Sequence, residues 1–203
     1  MVSILTGDII NSRKDSVESW LNVLKAALQS SGTKKQWEIY RGDSFQLETA
    51  PEDALLKAIY LKACVKTVKN IDARIAIGIG GKNYTADKIS ESNGEAFVFS
   101  GEKFDELKKE RVTLAIQTPW ETFNYEMNVI IRLALIAIDN WSQVSAEMVK
   151  LSIENAAISQ LELAELSNKS QSTVSEALKR ARLAEILELD TLYRRKLTQQ
   201  LNM

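Results

Sequence analysis

All 8 glycines and both prolines of this chain lie at or before Pro119. From Trp120 to Met203 nothing in the sequence breaks a helix, and apolar residues recur three and four apart, so this stretch has to fold as helices joined by short polar turns. Before Pro119 the same residues punctuate shorter runs of alternating pattern, which predicts strands and helices in succession. The texture changes near Thr118-Pro119. We therefore expect one domain over residues 1–117 and a helical one over 118–203, with Glu121 to Trp141 as a long connecting helix.

In the first part, Val2 to Leu5 reads as a strand ending at Gly7-Asp8, and Val17 to Leu28 as an amphipathic helix. Gln36 to Glu48 alternates on either side of Gly42-Asp43, with Trp37, Ile39, Phe45 and Leu47 on one face, the pattern of a hairpin. Pro51 suits the first turn of a helix that Ala54 to Val68 continues. Ala73 to Ile79 reads as a strand ending at Gly80-Gly81, Glu95 to Lys109 as a helix and Val112 to Ile116 as a last strand. The expected class is α+β, with a ferredoxin-like, mainly antiparallel sheet covered by helices on one face, followed by an all-α domain.

Composition removes several chemistries. The chain has 0 histidines, which excludes Ser-His-Asp and Cys-His catalysis and leaves only a hard cation held by oxygen ligands as a metal. Its 1 cysteine, Cys64, cannot form an internal disulfide and sits in an apolar helical run, as a core filler would. The opening residues lack the basic flank and apolar length of a signal peptide, and Val129 to Ile138, interrupted by Arg132, is too short to span a bilayer. These features predict a cytoplasmic protein without membrane contact. A net charge of -1 gives no global attraction to nucleic acid, so charge has to be read by segment.

The most specific segment runs from Ile158 to Leu183. Ser159 followed by Glu162 is a capping box, Asn168-Lys169 a tight turn and Ser170 a good N-cap for a second helix. Leu161, Ala164 and Leu166 are expected on the inner face of the first helix, and Val174, Ala177 and Leu178 on that of the second. Gln171, Ser172, Thr173, Ser175, Glu176, Lys179 and Arg180 then point outward. Short polar groups at a helix start with cations further along are what major-groove reading requires. From Asn168 onward seven cations stand against four acids, while Asp139 to Ser167 carries one lysine against five acids. The run E-L-A-E-L-S-N-K-S-Q-S-T-V-S resembles the helix-turn-helix of bacterial transcriptional regulators, placed here at about 159–182. The resemblance implies that Gln171, Ser172 and Ser175 face bases in double-stranded DNA while Ser170, Thr173 and Lys179 touch its backbone, with Arg180 alongside. Such proteins usually act as dimers. Val129 to Ile138 and Leu183 to Leu192 are the candidate homodimer faces, with ordinary intrachain core as the equal alternative.

Two further stretches, T-G-D-I-I-N-S-R (Thr6 to Arg13) and R-G-D-S-F (Arg41 to Phe45), place Asp8 after the first strand and Asp43 at the hairpin tip. Neighbouring strands would bring the two carboxylates to one edge. With a backbone carbonyl such as that of Ile9 they would suit magnesium or manganese together with a nucleotide, whose phosphates Asn11, Ser12 and Arg13 could meet. Asn11-Ser12 ahead of Lys14-Asp15 equally suits the capping of the next helix, and aspartate is common in turns for local reasons. The pair resembles the class III nucleotidyl cyclase and GGDEF-type palm, in which an aspartate after strand one and another in the hairpin hold two metals. The later Ile77-Gly78-Ile79 fits that pattern. The cyclase asparagine and arginine that stabilise the transition state are replaced by Val98 and Glu102 after Gly94, so the resemblance implies a sensor or scaffold without catalysis. Taken together, G-D-I-I-N-S-R, R-G-D-S-F-Q, R-I-A-I-G-I-G and the C-terminal helix pair resemble the SatD family. That implies a bacterial cytoplasmic regulator with a possible nucleotide effector; a metal-dependent nucleotide-processing enzyme is the alternative.

Overall fold

The short apolar run at the amino end is a strand, and the computed structural model, which describes residues 1–13 and 16–202, carries that strand to Ile10. The order is β1 (Val2–Ile10), α1 (Val17–Ser31), β2 (Trp37–Tyr40), β3 (Ser44–Thr49), α2 (Ala54–Lys66), β4 (Asp72–Gly80), α3 (Glu95–Glu110) and β5 (Leu114–Gln117). Then follow α4 (Glu121–Ile138), α5 (Gln143–Glu154), α6 (Gln160–Ser167), α7 (Gln171–Ala181) and α8 (Leu183–Leu201). The protein is α+β, with a mixed sheet in the order β2-β3-β1-β4-β5. Neighbours are antiparallel except β4 and β5, whose parallel pairing is made possible by the α3 crossover.

β1 does not end at Gly7-Asp8 as the sequence suggested but runs on to Ile10. Gly7 is a mid-strand residue because the Phe45 ring crosses it; a Cβ there would lie 2.5 Å from Phe45 Cζ. Asp8 is likewise inside the strand, opposite Ser44 on one side and Arg74 on the other.

Successive strand residues face opposite sides of the sheet. Leu5, Ile9, Phe45, Leu47, Ile75 and Ile77 join Trp20, Leu24 and Leu28 of α1 and the apolar side chains of α2 in one core. The alternate residues meet α3. Thr6 hydrogen-bonds Ser100 at 2.9 Å, while Ile4 packs on Ala96 and Ala76 on Phe104 and Leu107. Helices therefore lie on both faces, not on one. The reason is the small residues of β4: a Cβ on Gly78 would lie 2.2 Å from the Ala96 carbonyl oxygen, so only glycine lets α3 come this close.

The main core continues through Phe123, Met127 and Ile131 of α4 to Ile186, Tyr193 and Leu197 of α8. Asn128 lays its side-chain amide along edge strand β5, donating to the Ile116 carbonyl at 2.8 Å and accepting from its N–H at 2.9 Å. Lys62, fully buried, pairs with Asp72 at 2.8 Å and Asp139 at 3.2 Å; it joins α2 and β4 to the end of α4. No helix among the described residues is long and apolar enough to cross a membrane.

Candidate functional site

The segment from α5 to α7 is built as the caps dictate. Ser159 and Glu162 form the reciprocal capping box that starts α6. Asn168 takes the left-handed conformation (φ 51°) that ends α6, and the Ser170 side chain accepts from the Thr173 N–H to start α7. Three residues thus separate the two helices. Their inner faces close on α5 through Met148, Leu163, Ala164, Val174 and Ala177.

Sequence periodicity misplaced part of this core. Leu161 and Leu166 are 57% and 54% exposed, whereas Leu163 is buried beside Ala164. An eight-residue helix has only two turns, too few for spacing alone to fix which leucines face inward. On α7 the assignment stands closer to the structure: Val174, Ala177 and Ala181 are buried, and Leu178 is half-buried. Ser170, Gln171, Ser172, Thr173, Glu176, Lys179 and Arg180 are exposed and Ser175 is partly so. The basic surplus is smaller than the count implies. Lys169 pairs with Glu147, Arg182 with Glu185, Arg194 with Asp53 and Asp190, and Lys196 with Glu126. Among the described residues, Lys179, Arg180 and Arg195 have no carboxylate partner, and two of these lie on α7.

The aspartate edge is assembled by the sheet. The Ile9 N–H donates to the Asp43 carbonyl oxygen at 3.1 Å, and Ser12 Oγ donates to Asp43 Oδ2 at 2.6 Å, so the hairpin tip is tied to the end of β1. Asn11 (φ 65°) turns the chain there and donates from its side chain to the Asn70 carbonyl at 3.0 Å, while Arg13 is exposed. The helix-cap alternative involving Lys14 and Asp15 falls on residues outside those described. α1 begins at Val17 with Ser16 as its N-cap, and Ser12 is engaged by Asp43 and by Trp20 Nε1 instead.

Two cations that the sequence reading did not nominate face Asp8. Arg74 Nη1 lies 3.5 Å and Lys108 Nζ 4.0 Å from Asp8 Oδ2. The available signal was a lone arginine in the otherwise apolar strand A-R-I-A-I. Burial raises the Asp8 carboxyl above its usual range despite Arg74 and Lys108, and the charge of Asp43 adds to the rise. Among the described residues, Asp8 Oδ1 and Arg74 Nε are buried without a hydrogen-bond partner. In this arrangement Asp8 is shared by Arg74 and Lys108. No cluster of three or more metal-ligating side chains occurs among the described residues. The edge thus places Arg74 and Lys108 beside Asp8, with the charge of Asp43 close enough to act on it. Val98 and Glu102, on α3 after Gly94, are both exposed.

Compared with known proteins, the chain matches no family model and no curated sequence.

Proposed function

We propose that the chain is a DNA-binding transcriptional regulator whose α6–turn–α7 unit is a helix-turn-helix, with α7 entering the major groove. The observation that carries this reading is the solvent-facing row on α7. Gln171, Ser172 and Ser175 can reach base edges while Ser170, Thr173, Lys179 and Arg180 meet phosphates, all on a helix pinned from behind by α5. The first four strands, ordered β2-β3-β1-β4 with antiparallel neighbours, support a ferredoxin-like reading of residues 1–117, with β5 added at the edge. In this reading that part senses or scaffolds and residues 118–203 bind DNA, as the SatD resemblance also implies; the setting is the cytoplasm.

A homodimer fits the need for two half-sites. Leu183, Ile186 and Leu189 are buried within the chain and Leu187 is 41% exposed, whereas on α4 Leu133 and Ile136 are 64% and 69% exposed, with Tyr125 at 73% just ahead of the expected stretch, so α4 is the stronger dimer candidate.

The test is selection from a random duplex pool with the full chain, followed by titration of the enriched sequence at several salt concentrations. Lys179→Ala should weaken binding to all duplexes and lower the salt slope by about 1, whereas Gln171→Ala should relax preference at one base position by about 1–3 kcal/mol. No enrichment and no duplex binding at 50 mM salt would sink the proposal.

A second reading is favoured by the two unpartnered polar atoms at Asp8 and Arg74. A nucleoside triphosphate bound there would draw Arg74 and Lys108 toward its phosphates and free Asp8 and Asp43 for its magnesium or manganese. It predicts thermal stabilisation by manganese with the triphosphate but not by manganese alone.

A further inference from the structure

Away from both sites, the chain holds a cavity of about 370 Å³ walled by α1, α2, α5 and α8. That is within the size range of small-molecule sites. Its charged walls are unequally satisfied. Arg194 is held by Asp190 at 2.7 Å and Asp53 at 3.1 Å. Glu154 accepts from the Tyr60 hydroxyl at 2.6 Å and faces Lys150 at 3.6 Å. Lys57 differs. Its ammonium donates to the Ser31 carbonyl at 2.8 Å and has no carboxylate within ion-pair distance among the described residues. It is half-buried and fixed in direction, with the rest of its donor capacity left over. Ser30 Oγ, 3.0 Å from the Tyr60 hydroxyl, stands on the same wall but donates to the Ala27 carbonyl at 3.0 Å, and Leu56 and Ile153 supply apolar surface.

We propose that this cavity binds a small monocarboxylate with a short apolar body, its carboxylate on the Lys57 ammonium and its body against Leu56 and Ile153. One anionic charge matches the one cation on this wall that has no carboxylate of its own among the described residues. A phosphate dianion would bring a second charge toward Asp53 and Glu154, and an amine would have to compete with Arg194, which Asp53 and Asp190 share, and with Lys150 at Glu154. The site goes beyond the DNA-binding reading and does not depend on it.

The test uses the full chain with hexanoate and phenylacetate as probes and hexylamine and hexanol as controls. Each carboxylate should raise Tm saturably, by roughly 5–10 °C at about a hundredfold excess over Kd. Lys57→Met should lower affinity at least about tenfold while the circular dichroism spectrum stays native. Leu56→Trp, which keeps the cation but fills the cavity, should abolish the shift and covers the case in which Lys57→Met fails to fold. The proposal is overturned if neither carboxylate shifts Tm, if hexylamine shifts it equally, or if the folded Lys57→Met or Leu56→Trp protein responds as the native chain does.

Discussion

Asp8 is held differently, at the scale of one residue, from a carboxylate in a tight ion pair. A close cation tends to lower a carboxyl's pKa and burial to raise it, and breaking a buried pair costs about 3–5 kcal/mol. Asp8 has two cations at 3.5 and 4.0 Å and an orphaned Oδ1, and burial outweighs both cations, so its pKa is raised. The sign follows from linkage. A carboxyl raised above its ordinary 3.8 favours the folded state while protonated, and that contribution is lost as pH rises through the folded pKa. Asp8→Asn, neutral at every pH, should therefore leave Tm at pH 7 equal to or above that of the native chain, and flatten its dependence on pH from about 4 upward. Thermal melts of both proteins between pH 4 and 8 check this. A large loss of Tm at pH 7 would make Asp8 an ordinary ion-pair partner. The sequence disclosed the aspartates through their Gly-Asp settings, but not Arg74 and Lys108. Lys108 lies on a different element a hundred residues away, and only the α3 crossover brings it over β1.

Elements were legible where a pattern ran long or a cap was explicit. The helices after Pro119, the Ser159–Glu162 box and the hairpin around Gly42-Asp43 all follow from local chemistry, and local chemistry is what a sequence states. The placement of α3 on the second face of the sheet was not legible, because it depends on which side of β4 carries small residues and on the hand of a crossover. Gly78 is the residue that allows it. A methyl group there would lie 2.2 Å from the Ala96 carbonyl oxygen and 2.4 Å from the Ser100 N–H nitrogen, both backbone atoms that cannot rotate away. Gly78→Ala should therefore push α3 off the sheet and cost about 1–3 kcal/mol, in the range of core overpacking. Urea denaturation measures the loss. Because Ser100 and Lys108 ride on the same helix, the same substitution should also disturb the Asp8 edge, seen as a changed pH dependence of Tm.

At the scale of the molecule the two textures of the sequence share one core. α4 covers edge strand β5 with its inner side and offers its outer side to solvent. That outer side carries Tyr125, Leu133 and Ile136, an apolar row on a chain whose other large side chains are mostly buried. In the proposed reading this row is the dimer face, since a reader of paired half-sites needs a second copy. A helix pairing with its own copy across a twofold axis would also set the spacing between the two α7 helices. Leu133→Glu combined with Ile136→Glu places like charges on that axis without touching the intrachain core. Sedimentation should find the native chain as a dimer and the double variant as a folded monomer with unchanged helix content. Affinity for the selected duplex should fall by about a hundredfold or more, since the second half-site no longer binds as an intramolecular event. Weak, salt-sensitive binding through Lys179 and Arg180 should survive. A native chain that stays monomeric at tens of micromolar, or a double variant that remains dimeric, would remove α4 from this role and leave its apolar row to another partner.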